Sequence, residues 1–279
     1  MSPSAANRPP TKAPEASDES AAPVKLPADD QAIFELDLAE LAARWSSAME
    51  RSPMSGEAMT GADRRAQALG VPGGLLMEHA GTAVAAAVRA LAVRIGRWGT
   101  GPILVLCGPG NNGGDGFVAA RRLARLGAQV VVGFVASEAR PQGETSGRNW
   151  DRLAAEANVT RIHAALPRDL AILGQGIDRA AVVVDALLGT GVRGALRDPI
   201  RSAVELVRHA HDAGVPVLAV DTPTAVDLTS GEATDPVVRA DVTVTFHRPK
   251  VGLRTRRGAA LAGRVLVAPI GIPPEADRG

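Results

Sequence analysis

The chain predicts an α/β protein with a doubly wound, mostly parallel sheet, and three observations carry that reading. Short apolar runs recur along it, at Ile103–Cys107, Ala181–Val184, Val215–Val220 and Val265–Ala268, and Val242–Phe246 completes the set of strands. Continuous apolar runs of this length mark strands buried on both faces. Helical patterns alternate with the runs, as crossovers between parallel strands require. Three of the strands end in polar or glycine-rich loops, and open α/β sheets bind ligands just beyond the carboxyl ends of their strands.

Each element follows in chain order. Residues 1 to about 30 are rich in Pro, Ala, Ser and Asp without a hydrophobic period, which predicts a disordered extension. Residues 31–56 form a helical segment: Ile33, Leu36, Leu38, Leu41 and Trp45 recur at near-helical spacing until Ser52–Gly56 breaks it. The main domain spans 57–274. A helical pattern resumes at Thr60, Gly70–Gly74 interrupts it, and Glu78–Ile95 reads as an Ala-rich helix suited to close packing on a sheet. After the Ile103–Cys107 strand comes Gly108-Pro-Gly-Asn-Asn-Gly-Gly-Asp-Gly116, then a helix over Asp115–Leu126 with Phe117, Ala120 and Ala124 on one face. Gly127 closes it and Gln129–Val135 gives the next strand. A polar helix over Arg148–Ala157 precedes a strand near Thr160–His163. The Ala181–Val184 strand ends at Asp185. Asp198-Pro199 reads as an N-cap with proline at the first helical position, Ile200, Ala203, Val204 and Val207 as the inner face, and Gly214 as the C-cap. Val215–Val220 ends at Asp221.

Composition narrows the function classes. Hydrophobic residues at 46% allow a sizeable core, but aromatics at 3% and no tyrosine leave Ala, Val, Leu and Ile to build it. A net charge of +1 gives no global pull toward nucleic acid or an anionic membrane. The single Cys107 excludes an internal disulfide and suits a reducing, cytoplasmic setting. No apolar run reads as approaching the roughly 18–20 residues of a membrane span, and the N-terminus has no apolar signal core.

The Gly108–Gly116 turn is the most informative stretch. It joins strand to helix, where backbone N–H groups converge, and Gly108, Gly110 and Gly113 satisfy the GxGxxG spacing for a pyrophosphate. It lacks the Gly-Lys-Ser/Thr of a Walker loop. Geometry alone does not call for Asn111, Asn112 and Asp115 among five glycines, so the turn is read as holding a polar ligand or an ion. Glu138, near the end of the following strand, is roughly where a ribose-binding acid belongs but falls in a loop. Asp185 and Asp221 end two further strands. Such aspartates either serve a site or cap a turn, and their recurrence at one edge favours the site. Gly189-Thr-Gly-Val-Arg-Gly194 reads as a phosphate-wrapping loop, with Arg193 either a charge-assisted fork or a solvated charge. His79 reads as a packing residue. His209 and His211 point to different faces and do not make a metal site. Lys250, Arg254, Arg256 and Arg257 read as a solvated basic loop.

GPGNNGGDG, VDALLGTGVRG and DTPTAVDLTSGE, in this order and spacing, resemble the NAD(P)H-hydrate epimerases of the YjeF N-terminal domain type. Leu76-Met-Glu-His-Ala-Gly81, Arg248-Pro-Lys250 and Gly263-Arg-Val-Leu-Val resemble its flanking segments, so the likeness runs from about Thr60 to Pro273. The resemblance implies a Rossmann-like three-layer αβα sandwich that interconverts the R and S epimers of hydrated NADH and NADPH (NADHX and NADPHX) as cofactor repair. It implies that Asn111, Asn112, Gly113, Gly114, Asp115, Gly189, Thr190, Gly191, Val192, Arg193, Gly194 and Ala195 line the substrate. Asp221 would contact it and is the choice for the catalytic group. One potassium ion (K+) per subunit would be held by Asn112, Asp185 and Thr224. The functional partner would be an NAD(P)H-hydrate dehydratase on a separate chain, and the protein would be a homodimer using apolar surface of the helices before Gly70. One departure stands out: Pro223-Thr-Ala225 replaces the family's Pro-Ser-Gly, and Ala225 would be strained if that position has positive φ. This departure supports a second reading, a catalytically altered binding or scaffold protein on the same fold.

Overall fold

The computed structural model describes residues 25–190 and 194–278. Short 3-10 turns at Pro27–Asp29 and Gln31–Glu35 lead into α1 (Leu38–Arg44) and α2 (Ser46–Met49), then α3 (Gly56–Ala68) and α4 (Gly73–Arg94). Asp37 caps α1 through a capping box with Glu40. The sheet units follow: β1 (Ile103–Cys107), α5 (Asn111–Arg125), β2 (Val130–Val135), α6 (Glu144–Arg152), β3 (Val159–Ala164), α7 (Pro167–Leu173), β4 (Val182–Ala186), α8 (Ile200–Asp212), β5 (Val217–Val220), β6 (Val242–Phe246), α9 (Arg256–Ala262) and β7 (Arg264–Ala268).

Among the described residues the seven strands make one sheet in the order β3-β2-β1-β4-β5-β6-β7, every pair parallel. Alternation along β1 shows the three layers. Ile103, Val105 and Cys107 join one core with α4 and α5, while Leu104 and Leu106 join a second core with α7 and α8. Three of the seven Phe and Trp side chains cluster: Phe117, Phe134 and Trp150 pack with ring centroids 5.3–6.1 Å apart. Where α4 crosses α5, a Cβ at Gly81 would lie 2.4 Å from Val118 Cβ and 2.6 Å from the Asp115 carbonyl oxygen, so only glycine admits this approach.

Several sequence expectations are corrected. Residues 27–30, expected in the disordered extension, form a turn with Pro27 and Asp30 buried; Ala28 N–H donates to His79 Nδ1 at 3.1 Å. Residues 1–24 of that expectation lie outside the described residues. Helix α4 is 22 residues long with mean hydropathy 1.2, enough by length and composition to cross a membrane, and 83% of that window is buried inside the protein as a core helix. The apolar faces before Gly70 are spent within the protomer: Leu38, Leu41, Trp45, Met59, Ala62 and Ala66 all belong to the main core. Helix α8 starts at Ile200, one residue later than the Asp198-Pro199 signature suggests, although Asp198 Oδ1 still accepts from Ser202 N–H at 3.2 Å. Helices α7 and α9, each seven residues, are too short for their periodicity to be read.

Candidate functional site

The strand order reverses direction between β1 and β4, and the loops leaving these strands part there. This is where doubly wound sheets bind ligands. The cleft is about 660 Å³ and is lined by Gly110–Asn112 after β1, Ser137 and Glu138 after β2, and Leu187–Thr190 with Gly194–Ile200 after β4. Helix α5 begins at Asn111, four residues before the expected Asp115, so Asn111–Asp115 form its first turn and its free N–H groups border the cleft. Gly113 permits this: a Cβ there would sit 1.9 Å from the Gly108 carbonyl oxygen.

A smaller cavity of about 190 Å³ meets the cleft at Asn111, Asn112 and Thr190. Met59, Leu76, Met77, Ala80, Phe246 and Ile270 give it apolar walls, and Asp63 of α3, Asp115 of α5 and Asp221 bring three carboxyls to it. Asp221 follows β5 in a left-handed conformation, φ 63°, with its N–H donating to the Val244 carbonyl at 2.8 Å. Aspartate tolerates this backbone better than most residues. Thr245 Oγ1 donates to Asp221 Oδ1 at 2.9 Å and Lys250 Nζ lies 3.6 Å from the same oxygen. Lys250 is fully buried, and its ammonium also donates to Thr245 Oγ1, the Phe246 carbonyl and the Arg248 carbonyl at 2.8–3.1 Å. Burial lowers its pKa below the usual lysine value, with Asp221 opposing the shift. Burial raises Asp115 well above the ordinary carboxylate range, and the neighbouring Asp221 and Asp63 add to it. Burial likewise raises Asp63, opposed by the Gln67 amide that donates to it at 2.9 Å.

Behind these walls lies Asp185, fully buried at the end of β4. Its Oδ1 accepts from Thr224 Oγ1 at 2.7 Å and Leu187 N–H at 3.2 Å, and its Oδ2 from Thr224 N–H at 2.7 Å. Burial raises its pKa to about 6 against the pull of these hydrogen bonds. Among the described residues no cationic side chain pairs with it. Ala225 has φ 77°, so alanine occupies the conformation for which glycine is suited, at a cost of about 1–2 kcal/mol.

The structure therefore brings Asn111, Asn112, Asp115, Thr190 and Asp221 to one cavity, and Gly189, Gly194 and Ala195 to the adjoining cleft. Gly189 joins the two, since a Cβ there would lie 3.2 Å from Asn112 Oδ1 and 3.3 Å from Asp221 Oδ2. Gly113 and Gly114 line neither space; they face Gly108 and Met77. Gly191, Val192 and Arg193 lie outside the described residues. Glu138 does line the cleft. Asp227 caps its own turn by accepting from Thr229 and Ser230 N–H. His79 is buried, and His209 is exposed while His211 faces Asp241 3.9 Å away. The solvated reading of Lys250 is wrong: it is 0% exposed and backs Asp221. The sequence reading also missed Asp63, whose only signal was its place on an amphipathic helix.

The family described as YjeF-related protein N-terminus matches residues 73–252. The chain belongs to this family. Among its relatives, a bifunctional NAD(P)H-hydrate repair enzyme Nnr of Pyrobaculum aerophilum is 43% identical over 216 residues, covering 77% of this chain and 41% of the relative. An NAD(P)H-hydrate epimerase of Cenarchaeum symbiosum is 36% identical over 220 residues, covering 78% of this chain and 94% of the relative. The chain thus spans about two fifths of the bifunctional YjeF-related protein and nearly all of the single-function one. The crystal structure of yeast YNL200c superposes with a TM-score of 0.62 at 26% identity, covering 72% of this chain and 83% of that one. Its agreement with the seven-stranded parallel sheet makes the YjeF-related fold Rossmann-like. The family match leaves out α3 and Ile270, which close the smaller cavity.

Proposed function

We propose that the protein is an NAD(P)H-hydrate epimerase, interconverting the R and S epimers of hydrated NADH and NADPH. The observation that carries this is a dinucleotide-sized cleft at the sheet's switch point that opens into a small, partly apolar cavity ending on Asp221. The pyrophosphate lies on the N-terminus of α5, where free N–H groups favour an anion. Glu138 accepts from a ribose hydroxyl. The hydrated ring enters the smaller cavity between its apolar walls, and remote binding by the cleft holds it there. Asp221 takes the proton released as water returns to the ring carbon that bears the hydroxyl, with Lys250 and Thr245 holding its carboxylate in place.

Potassium completes the reading. Asp185 is a buried carboxylate with no cationic partner among the described residues, and its hydrogen-bond partners are the Thr224 hydroxyl and the Thr224 and Leu187 amides. These residues fit a hard monovalent ion held by Asn112, Asp185 and Thr224. Its charge would offset Asp185 and strengthen anion binding at the cleft floor. The proposal extends to a dehydratase that consumes the epimer supplied, which the bifunctional relatives support by name. It further extends to a homodimer and a cytoplasmic setting, supported by the resemblance and by the free buried Cys107.

The test couples a resolved R-epimer to a dehydratase specific for the S-epimer. The wild-type protein should accelerate clearance, and Asp221→Asn should abolish the acceleration while folding normally. Wild-type protein without effect overturns the epimerase reading. A variant with full rate removes only Asp221.

A further inference from the structure

We infer that Asp63 of α3 is a further acid–base residue of this cavity, holding a proton in common with Asp115 for delivery to the ring hydroxyl while Asp221 serves as the base. The inference rests on the epimerase reading above. Three carboxyls line one cavity, and their partners differ. Asp221 has an ammonium 3.6 Å away and the Thr245 hydroxyl at 2.9 Å. Asp63 has the neutral Gln67 amide at 2.9 Å. Among the described residues no side chain donates to the Asp115 carboxyl, and no cation pairs with Asp63 or Asp115. Like charges facing one cavity resist double ionisation, so a proton stays on the pair that lacks a cation. Burial pushes both of these carboxyls upward, and their mutual repulsion acts in the same direction on Asp115.

A second observation marks the cavity as a ligand site. Asn112 is 8% exposed, lines the cavity, and its Nδ2 has no acceptor in the protein. A buried donor left open in this way calls for a polar ligand. Other charges around the cavity are already committed. Arg65 donates to the Ala276 and Arg278 carbonyls, Glu78 pairs with Arg121 and Arg122, and His79 accepts from Ala28. Arg64 is exposed. The titratable groups lining the space are therefore Asp63, Asp115 and Asp221, with Lys250 behind the last.

The chemistry needs an acid and a base. Hydration places the hydroxyl on the carbon next to the ring nitrogen. A proton from the Asp63–Asp115 pair goes to that oxygen, the C–O bond breaks, water leaves, and the nitrogen lone pair forms a C=N bond. Water then adds to the opposite face of the same carbon and gives a proton to Asp221, as the C=N electron pair returns to nitrogen. No oxidation state changes, and the reverse passage restores the protons.

Asp63→Asn and Gln67→Leu test this through kcat and KM against pH in the coupled epimer assay. Asp63→Asn should lower kcat by about 100-fold with KM within about twofold. Its alkaline limb should move to lower pH, because Asp115 loses a charged neighbour. Gln67→Leu keeps the carboxyl but removes the donor that favours its ionised form, so its alkaline limb should move to higher pH. Wild-type kcat with an unmoved limb in Asp63→Asn overturns the assignment, as does a lower kcat with the limb in place, the mark of a merely structural role. Should Asp63→Asn fail to fold, an unmoved limb in Gln67→Leu decides against it. A wild-type protein without epimerase activity overturns the functional reading, which is a separate result.

Discussion

Replacing Lys250 by methionine tests the pairing that backs Asp221. The ammonium is fully buried, makes three hydrogen bonds and lies 3.6 Å from Asp221 Oδ1. At that distance and an effective dielectric of about 20, the attraction is on the order of 4–5 kcal/mol before desolvation. Methionine fills much of the same volume but leaves the Phe246 and Arg248 carbonyls without this donor and Asp221 without a counter-charge. Removing one partner of a buried pair costs about 3–5 kcal/mol, so Lys250→Met should destabilise by that amount. Asp221→Asn should cost less, about 1–2 kcal/mol, because Lys250 keeps its three oxygen acceptors. In the double variant no carboxylate is stranded, so the two losses should fall short of additivity by about 2 kcal/mol. Urea unfolding followed by tryptophan fluorescence measures all three, with equal m-values as the control. Additivity within about 0.5 kcal/mol would show that the two groups do not act as a pair and would refute the reasoning.

Other outcomes follow from the same geometry. Gly113→Ala drives a Cβ to 1.9 Å from the Gly108 carbonyl and should cost about 2–3 kcal/mol along with NADPH binding, whereas Gly110→Ala meets nothing within 4 Å; equal melting temperatures would contradict this. Potassium chloride should raise the melting temperature over choline chloride at equal ionic strength, and Asp185→Ala should erase the difference; identical melts in the wild type reject the ion. Asp115 has its folded pKa raised above the unfolded value of 3.8, so from about pH 4 upward the unfolded chain has released a proton that the folded chain retains. Stability attributable to this group therefore falls as pH rises toward the folded value. Asp115→Asn should melt higher than the wild type at pH 7 and lose that advantage below about pH 4; a gap that does not change with pH would refute the assignment.

The strands of the sheet are written in local residue pattern. The Ile103–Cys107 run coincides with its strand because a strand buried on both faces is mostly apolar, and in Val242–Phe246 the two buried threonines hydrogen-bond to the Ala262 carbonyl and to Asp221. Gly127 and Gly214, both at positive φ, mark helix ends because only glycine adopts that backbone at little cost. The Asn-Asn-Gly-Gly-Asp turn, Asp185 and Asp221 were legible as a site because polar residues at the carboxyl edge of such a sheet have few other uses. Helix starts were less legible. The first turn of α5 is made of residues with poor helix propensity, and it forms because Gly113 packs against Gly108. How the charges combine depends on the packing of distant elements. Lys250 reads as one cation among several arginines, yet the β6 loop folds it under Asp221, where burial makes their attraction strong. Asp63 looks like any charge on a surface helix until α3 turns it toward Asp115 and Asp221. Local patterns record which face of an element is apolar. They do not record which elements meet, and the protonation of these carboxyls depends on that meeting.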